Sequence, residues 1–179
     1  NVGTSTGDTP DSERLRWREE TGGRVASSPL LYGGDIYVGS ADGGLRSIDS
    51  TNGSVNWTYT TGGAVWSSPA GDRDAIYAGS SDNRLYAFTI GGDERWHFEA
   101  GDAVWSDPVV ADGLVYIGSF DQRVYAIDQM TGEERWSYRS GDAVIAGPTV
   151  SDGAVYVGSW DRRFYAIDSA DGSVLWRYQ

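Results

Sequence analysis

The chain has 179 residues, no cysteine, one histidine and a formal charge of −12. That excludes a disulfide framework and thiolate metal sites, and argues against His-based zinc, nucleic acid and anionic membrane surfaces. Hydrophobic residues make up 39%, with no apolar run near the roughly 18 residues of a membrane span. All 14 basic residues are arginine, and aspartate outnumbers glutamate by 19 to 7. Hydrated carboxylates in such excess keep a protein soluble where salt screens charge, so a high-salt, halophilic setting is expected.

Residues 1–13, NVGTSTGDTPDSE, are polar and lack apolar periodicity, and read as a flexible linker. They have neither the basic start nor the apolar stretch of a signal peptide. RLRWREE (14–20) follows and reads as a lone strand. Beyond it the sequence repeats. Tryptophan recurs at 17, 57, 96, 136 and 176, proline at 29, 69, 108 and 148, and tyrosine at 37, 77, 116 and 156. The repeats run about 17–56, 57–95, 96–135 and 136–176, and the second is one residue short in the turn before Trp96.

Within a repeat every signal is β. PVVADGLVYIGS (108–119) and PTVSDGAVYVGS (148–159) each give two short strands, a and b, around an Asp-Gly turn. VYAID (124–128) gives strand c, and ERWSYRS (134–140) gives strand d with its tryptophan. Four strands recurring every 40 residues or so mark the blade of an all-β propeller.

At these residues the chain resembles the pyrroloquinoline-quinone (PQQ) enzyme-repeat family. AIDQMTGEERW (126–136) matches the family's tryptophan-docking motif in full. AIDSADGSVLW (166–176) departs at Asp171, and SIDSTNGSVNW (47–57) at Ser47 and Asn52. The second repeat keeps only Ala87, Gly92 and Trp96. The resemblance implies a β-propeller in which Trp17, Trp57, Trp96, Trp136 and Trp176 wedge between blades. Some members are quinoprotein dehydrogenases with eight blades, PQQ and calcium, whereas others resemble the scaffold lipoprotein of the outer-membrane β-barrel insertion machinery. PQQ and calcium therefore enter by resemblance alone.

The residues themselves favour no catalysis. The vicinal disulfide of the dehydrogenases is missing, the loops carry no insertions, and no phosphate loop, GxSxG or HExxH occurs. His97 follows Trp96 on an outer strand and reads as an exposed surface histidine. No catalytic or metal residue is assigned.

The b–c turns and the d–a connections of a propeller share one face. The turns place Asp42, Asp82, Asp121 and Asp161 in one ring, and Arg84, Arg123 and Arg163 in another. Turn chemistry would account for both. Phe120 and Trp160 stand where Ala41 and Ser81 stand in the other repeats. The connections place Ala26, Trp66, Trp105 and Ile145 at one equivalent position. Trp66, Trp105, Phe120 and Trp160 with Asp82, Asp121, Asp161, Arg84, Arg123 and Arg163 are the candidate binding set. An aromatic and cationic surface of that kind suits a protein partner or a planar anion.

Two sequons, at Asn52 and Asn56, agree with an extracellular or cell-surface location. Five d-type strands serve four a-b-c sets, so the chain is expected to be half of an eight-bladed ring. A second copy would then supply the other half. The expected role is a non-catalytic binding or scaffolding module, the alternative being part of a quinoprotein whose other blades hold the cofactor.

Overall fold

The computed structural model describes residues 15–179, and the linker expected at 1–13 lies outside them. Four antiparallel four-stranded sheets follow one another along the chain. The first contains β1 (Leu30–Tyr32), β2 (Asp35–Gly39), β3 (Gly44–Asp49) and β4 (Val55–Thr60). The second contains β5 (Ala70–Asp72), β6 (Ala75–Gly79), β7 (Arg84–Thr89) and β8 (Glu94–Glu99). The third is β9 (Val109–Ala111), β10 (Leu114–Gly118), β11 (Arg123–Asp128) and β12 (Glu134–Arg139). The fourth is β13 (Thr149–Ser151), β14 (Ala154–Ser159), β15 (Arg163–Asp168) and β16 (Val174–Tyr178). Each sheet is a propeller blade in the order a-b-c-d. The short strands β1, β5, β9 and β13 lie side by side along the inner edge.

The turns form as their residues require. Asp112-Gly113 and Asp152-Gly153 both take positive φ, at 51° and 80° and at 51° and 75°, the geometry of a tight hairpin that follows strand twist. Strand d carries one extra residue in every blade: Asn56, Arg95, Arg135 and Leu175 have no partner across the ladder. This bulge immediately precedes the tryptophan and re-aims it at the next blade.

Packing lies between blades rather than within one. Tyr37 and Leu45 of the first blade meet Ile76, Ala78 and Phe88 of the second, and the next two junctions repeat the arrangement. The indoles of Trp57, Trp96 and Trp136 lie against Gly92, Gly132 and Gly172 of the following blade. Their Nε1 atoms donate to the carbonyl oxygens of Ile90, Gln129 and Ser169 at 2.8, 3.2 and 2.9 Å. A second set of contacts seats Val65, Val104 and Val144 on Gly39, Gly79 and Gly118. A side chain on those glycines would strike the valine at 2.4–2.6 Å.

The lone strand expected at 14–20 is not formed over its described residues, 15–20. Among the described residues no strand c lies beside them to complete a ladder. Trp17 nevertheless sits against Gly53 and donates to the Ser50 carbonyl oxygen at 3.2 Å, as its counterparts do in later blades.

The two end flanks differ from the three internal junctions. Val25 is 50% exposed, whereas Val65 and Val104 are fully buried. Gly158 has no atom of the described residues near the place a side chain would take. Trp176 is 47% exposed against 8% for Trp136. Phe164, which lies against Trp176, and Tyr178 are exposed as well.

Candidate functional site

The face shared by the b–c turns and the d–a connections is built by repeated backbone bonds. The N–H groups of Ala41, Ser81, Phe120 and Trp160 donate to the carbonyls of Arg24, Ala64, Ala103 and Ala143. Buried Ser27, Ser67 and Ser106 pin the connections, each hydroxyl donating to the carbonyl of Gly39, Gly79 or Gly118 and accepting from its N–H. At the inner end the Ser28 N–H donates to Ser68 Oγ, and the Ser68 N–H to Asp107 Oδ1, joining successive blades.

The aspartate ring belongs to this framework. Asp82 accepts from the N–H groups of Gly62 and Arg84 and from the Tyr86 hydroxyl at 2.7, 3.2 and 2.8 Å. Asp121 does the same with Gly101, Arg123 and Tyr125, and Asp161 with Gly141, Arg163 and Tyr165. In the first blade arginine replaces the tyrosine. Arg46 grips Asp42 through both terminal nitrogens, at 3.1 and 2.6 Å.

These contacts shift the groups' acidity. The Arg46 guanidinium beside Asp42 holds that carboxyl well below the usual carboxylate range. Burial and the Asp82 carboxylate push the Tyr86 hydroxyl up to about 12. Burial acts against ionisation of Asp161, but donors led by Tyr165 outweigh it and keep the carboxyl below its ordinary range. The tyrosine partners were missed in sequence, although an aspartate four residues before a tyrosine in three of the four repeats was legible.

Two of the three ring arginines turn toward strand d, and the third stays beside its own turn aspartate. Arg84 approaches Glu99 at 3.8 Å, Arg123 donates to Ser137 Oγ at 3.0 Å, and Arg163 lies 3.9 Å from Asp161. Strand d is the outer strand of the blade. Arg84 and Arg123 therefore meet partners on the outer strand, whereas Trp66 and Trp105 meet each other.

The four candidate aromatics do come together. Trp66 meets Trp105 edge-on at 6.3 Å, Trp105 meets Phe120 at 4.6 Å, and Phe120 meets Trp160 at 5.7 Å. The row crosses three blades. Trp105 donates its indole N–H to Ser81 Oγ at 2.8 Å, which fixes the ring yet leaves it 40% exposed, and Trp160 is 57% exposed. His97 lies on the outer strand of its blade, paired with Glu94.

Residues for the cofactor of the dehydrogenases are a separate question. Among the described residues no group of three His, Cys, Asp or Glu side chains is arranged to hold a metal ion. The turn aspartates already bond backbone N–H and tyrosine hydroxyls on separate blades. A hard cation takes six to eight oxygens, and the donor set of these four blades does not fit it.

Blades of four strands, a glycine-seated tryptophan at each internal junction and minimal loops define a PQQ-type β-propeller. The chain belongs to the family whose model is described as outer membrane protein assembly factor BamB, matched over residues 8–103 and 81–179. A search of curated proteins finds no match. Among solved structures the chain is similar to BamB from Moraxella catarrhalis, with a TM-score of 0.82 at 19% identity, over 92% of this chain and 56% of that one. It is similar to the computationally designed Ika4 protein, with a TM-score of 0.79 at 18% identity, over 88% of this chain and 98% of that one. A quinohemoprotein alcohol dehydrogenase from Comamonas testosteroni has a TM-score of 0.78 at 21% identity, over 88% of this chain and 35% of that one. The chain thus spans little more than half of the natural propeller and about a third of the dehydrogenase. Identities this low establish the fold alone.

Proposed function

We propose that this chain is a non-catalytic binding and scaffolding module, exposed at the cell surface in high salt, whose loop face receives a protein partner. The aromatic row carries this reading. Ala41 and Ser81 build the same turn with small side chains, so the fold has no need of Phe120 and Trp160 there. Exposed rings in a polar rim are the usual make-up of an interaction site. A matched family described as an outer membrane assembly factor supports both an envelope location and a binding role. No helix among the described residues is long and apolar enough to cross a membrane. A photo-reactive phenylalanine analogue in place of Phe120 should form one dominant protein adduct in host cells, lost with Trp105→Ala and Trp160→Ala. Absence of any such adduct would overturn the reading.

The end flanks support a second copy of the chain as a further partner. Val25 is the counterpart of the valines that seat on a preceding glycine, and Gly158 is the glycine without a valine. Two chains related by a twofold axis would satisfy both at each of two junctions and close eight blades. Trp176 would then take the place on Gly53 that Trp17 holds. Light scattering in molar salt should give a dimer, favoured by removing residues 1–20. A monomer for both forms would discard the pairing and leave the loop-face reading intact.

The dehydrogenase matches favour a second reading, in which this chain is part of a quinoprotein whose remaining blades hold PQQ and calcium. Titration with PQQ and calcium, followed by absorbance, separates the two. Saturable binding by this chain would favour the quinoprotein.

A further inference from the structure

We propose that the aromatic row binds a basic polypeptide segment, with arginine or lysine side chains laid on Phe120 and Trp160 and their charge met by Asp102 and Asp142. The inference rests on the loop face being the partner surface, and it names what that partner presents.

The first support is a contrast between repeats. The blades with a small turn residue, Ala41 or Ser81, have Gly23 or Gly63 in the preceding connection. The blades with an aromatic, Phe120 or Trp160, have Asp102 or Asp142 there instead. Ring and carboxylate therefore appear together, twice, on adjacent blades. The backbone sets each pair side by side: the Phe120 N–H donates to the Ala103 carbonyl at 3.0 Å, and the Trp160 N–H to the Ala143 carbonyl at 2.9 Å. Ser119 Oγ and Ser159 Oγ donate to the carbonyls of Asp102 and Asp142 at 3.0 and 2.9 Å, holding both connections in place.

Each carboxylate has capacity left. Asp102 and Asp142 are exposed, and each uses one oxygen to accept from the N–H of the next residue, at 2.7 and 2.8 Å. Their second oxygens have no partner among the described residues. Unlike Asp82, Asp121 and Asp161, they secure no neighbouring element.

Chemistry selects the ligand. A ring face attracts a cation, and a carboxylate beside it binds a guanidinium edge. Arg84 and Arg123 turn toward strand d and Arg163 lies 3.9 Å from Asp161, so of the four arginines in these turns only Arg162, beside Trp160 in sequence, is exposed. A net charge of −12 draws cations to the surface. Two carboxylates with open oxygens beside the rings suit a basic segment better than a planar anion.

The test uses the whole chain and fluorescein-labelled Gly-Arg-Pro-Gly-Arg-Pro-Gly, read by anisotropy at 0.3 M and 2 M potassium chloride. Versions with citrulline or glutamate replace the arginines. The arginine peptide should bind saturably and at least about tenfold more tightly than the citrulline one. Trp160→Ala should weaken it about tenfold, and Asp142→Asn about threefold at the lower salt. Asp152→Asn, in an a–b turn on the opposite face, should change nothing. Equal binding of the citrulline peptide with the same loss in Trp160→Ala would overturn the cation and leave the loop face as a peptide site. Arginine-peptide binding insensitive to Trp160→Ala and Asp142→Asn would overturn the inference as mere attraction to an acidic protein. No binding by any of the three would overturn it too, leaving the loop face to be judged by the Phe120 cross-link.

Discussion

The indole of Trp136 lies against Gly172 of the next blade, and its Nε1 donates to the carbonyl of Ser169 at 2.9 Å. Gly172 has φ 78°, and a side chain there would come within 2.8 Å of the ring. Trp136→Ala should cost about 3–5 kcal/mol, because it empties a buried site between blades. Gly172→Ala should cost about 2 kcal/mol from left-handed backbone strain and the clash. Urea unfolding followed by far-ultraviolet circular dichroism measures both, and neutral results would mean that the junction does not hold the blades together.

Asp121 looks like a surface turn residue in sequence, where its loss would cost no more than about 1 kcal/mol. The structure raises that figure. Its carboxylate accepts from Gly101, Arg123 and the buried Tyr125. Asp121→Ala should therefore cost about 2–3 kcal/mol, since it strands a buried hydroxyl and a neighbouring loop. Arg123→Ala should stay below about 1 kcal/mol.

Backbone strain offers a gain. Arg162 has φ 68° in the turn where the first blade has Gly43 at φ 85°. Arg162→Gly should stabilise the fold by about 0.5–1 kcal/mol. Asn83→Gly, at φ 73°, should gain less, because asparagine tolerates that region. Thermal unfolding of the two variants compares them.

Acid should act through Asp42 and Asp128. The Arg46 guanidinium holds the first carboxyl well below its ordinary range, and the Arg135 guanidinium holds the second at about 2. A carboxylate whose pKa is lower in the folded state stabilises fully above its unfolded value of about 3.9, and that contribution is lost as pH falls further. Stability due to these groups should be level above about pH 5 and fall below about pH 4. Arg46→Met should raise the acid-unfolding midpoint, and Arg135→Gln should do so to a smaller extent.

Salt should stabilise the molecule. Twenty-six carboxylates face 14 arginines, and the Debye length falls to about 3 Å at 1 M. The thermal midpoint should rise between low and molar potassium chloride. An unchanged midpoint would remove the high-salt expectation.

The sequence by itself determined the blade. The recurring tryptophan, proline and Asp-Gly turns are local signals, and a pattern repeated four times leaves one strand order and one face for each side chain. It also singled out Phe120 and Trp160, because a repeat is its own control: an aromatic where other copies have alanine or serine stands out. What the tertiary structure decided depends on groups far apart in the chain. Trp66, Trp105, Phe120 and Trp160 form one row only because adjacent blades bring their loops together. That Arg84 and Arg123 reach strand d while Arg163 stays beside Asp161 is recorded by no periodicity. Asp42, Asp82, Asp121 and Asp161 read as one ring of equal carboxylates until the fold supplied each with a donor from the preceding connection, twenty residues upstream. Hydrogen bonds of that reach depend on how the blades stack, so the difference between a carboxylate that holds the fold and one left open to a ligand, Asp121 against Asp102, is settled only in three dimensions.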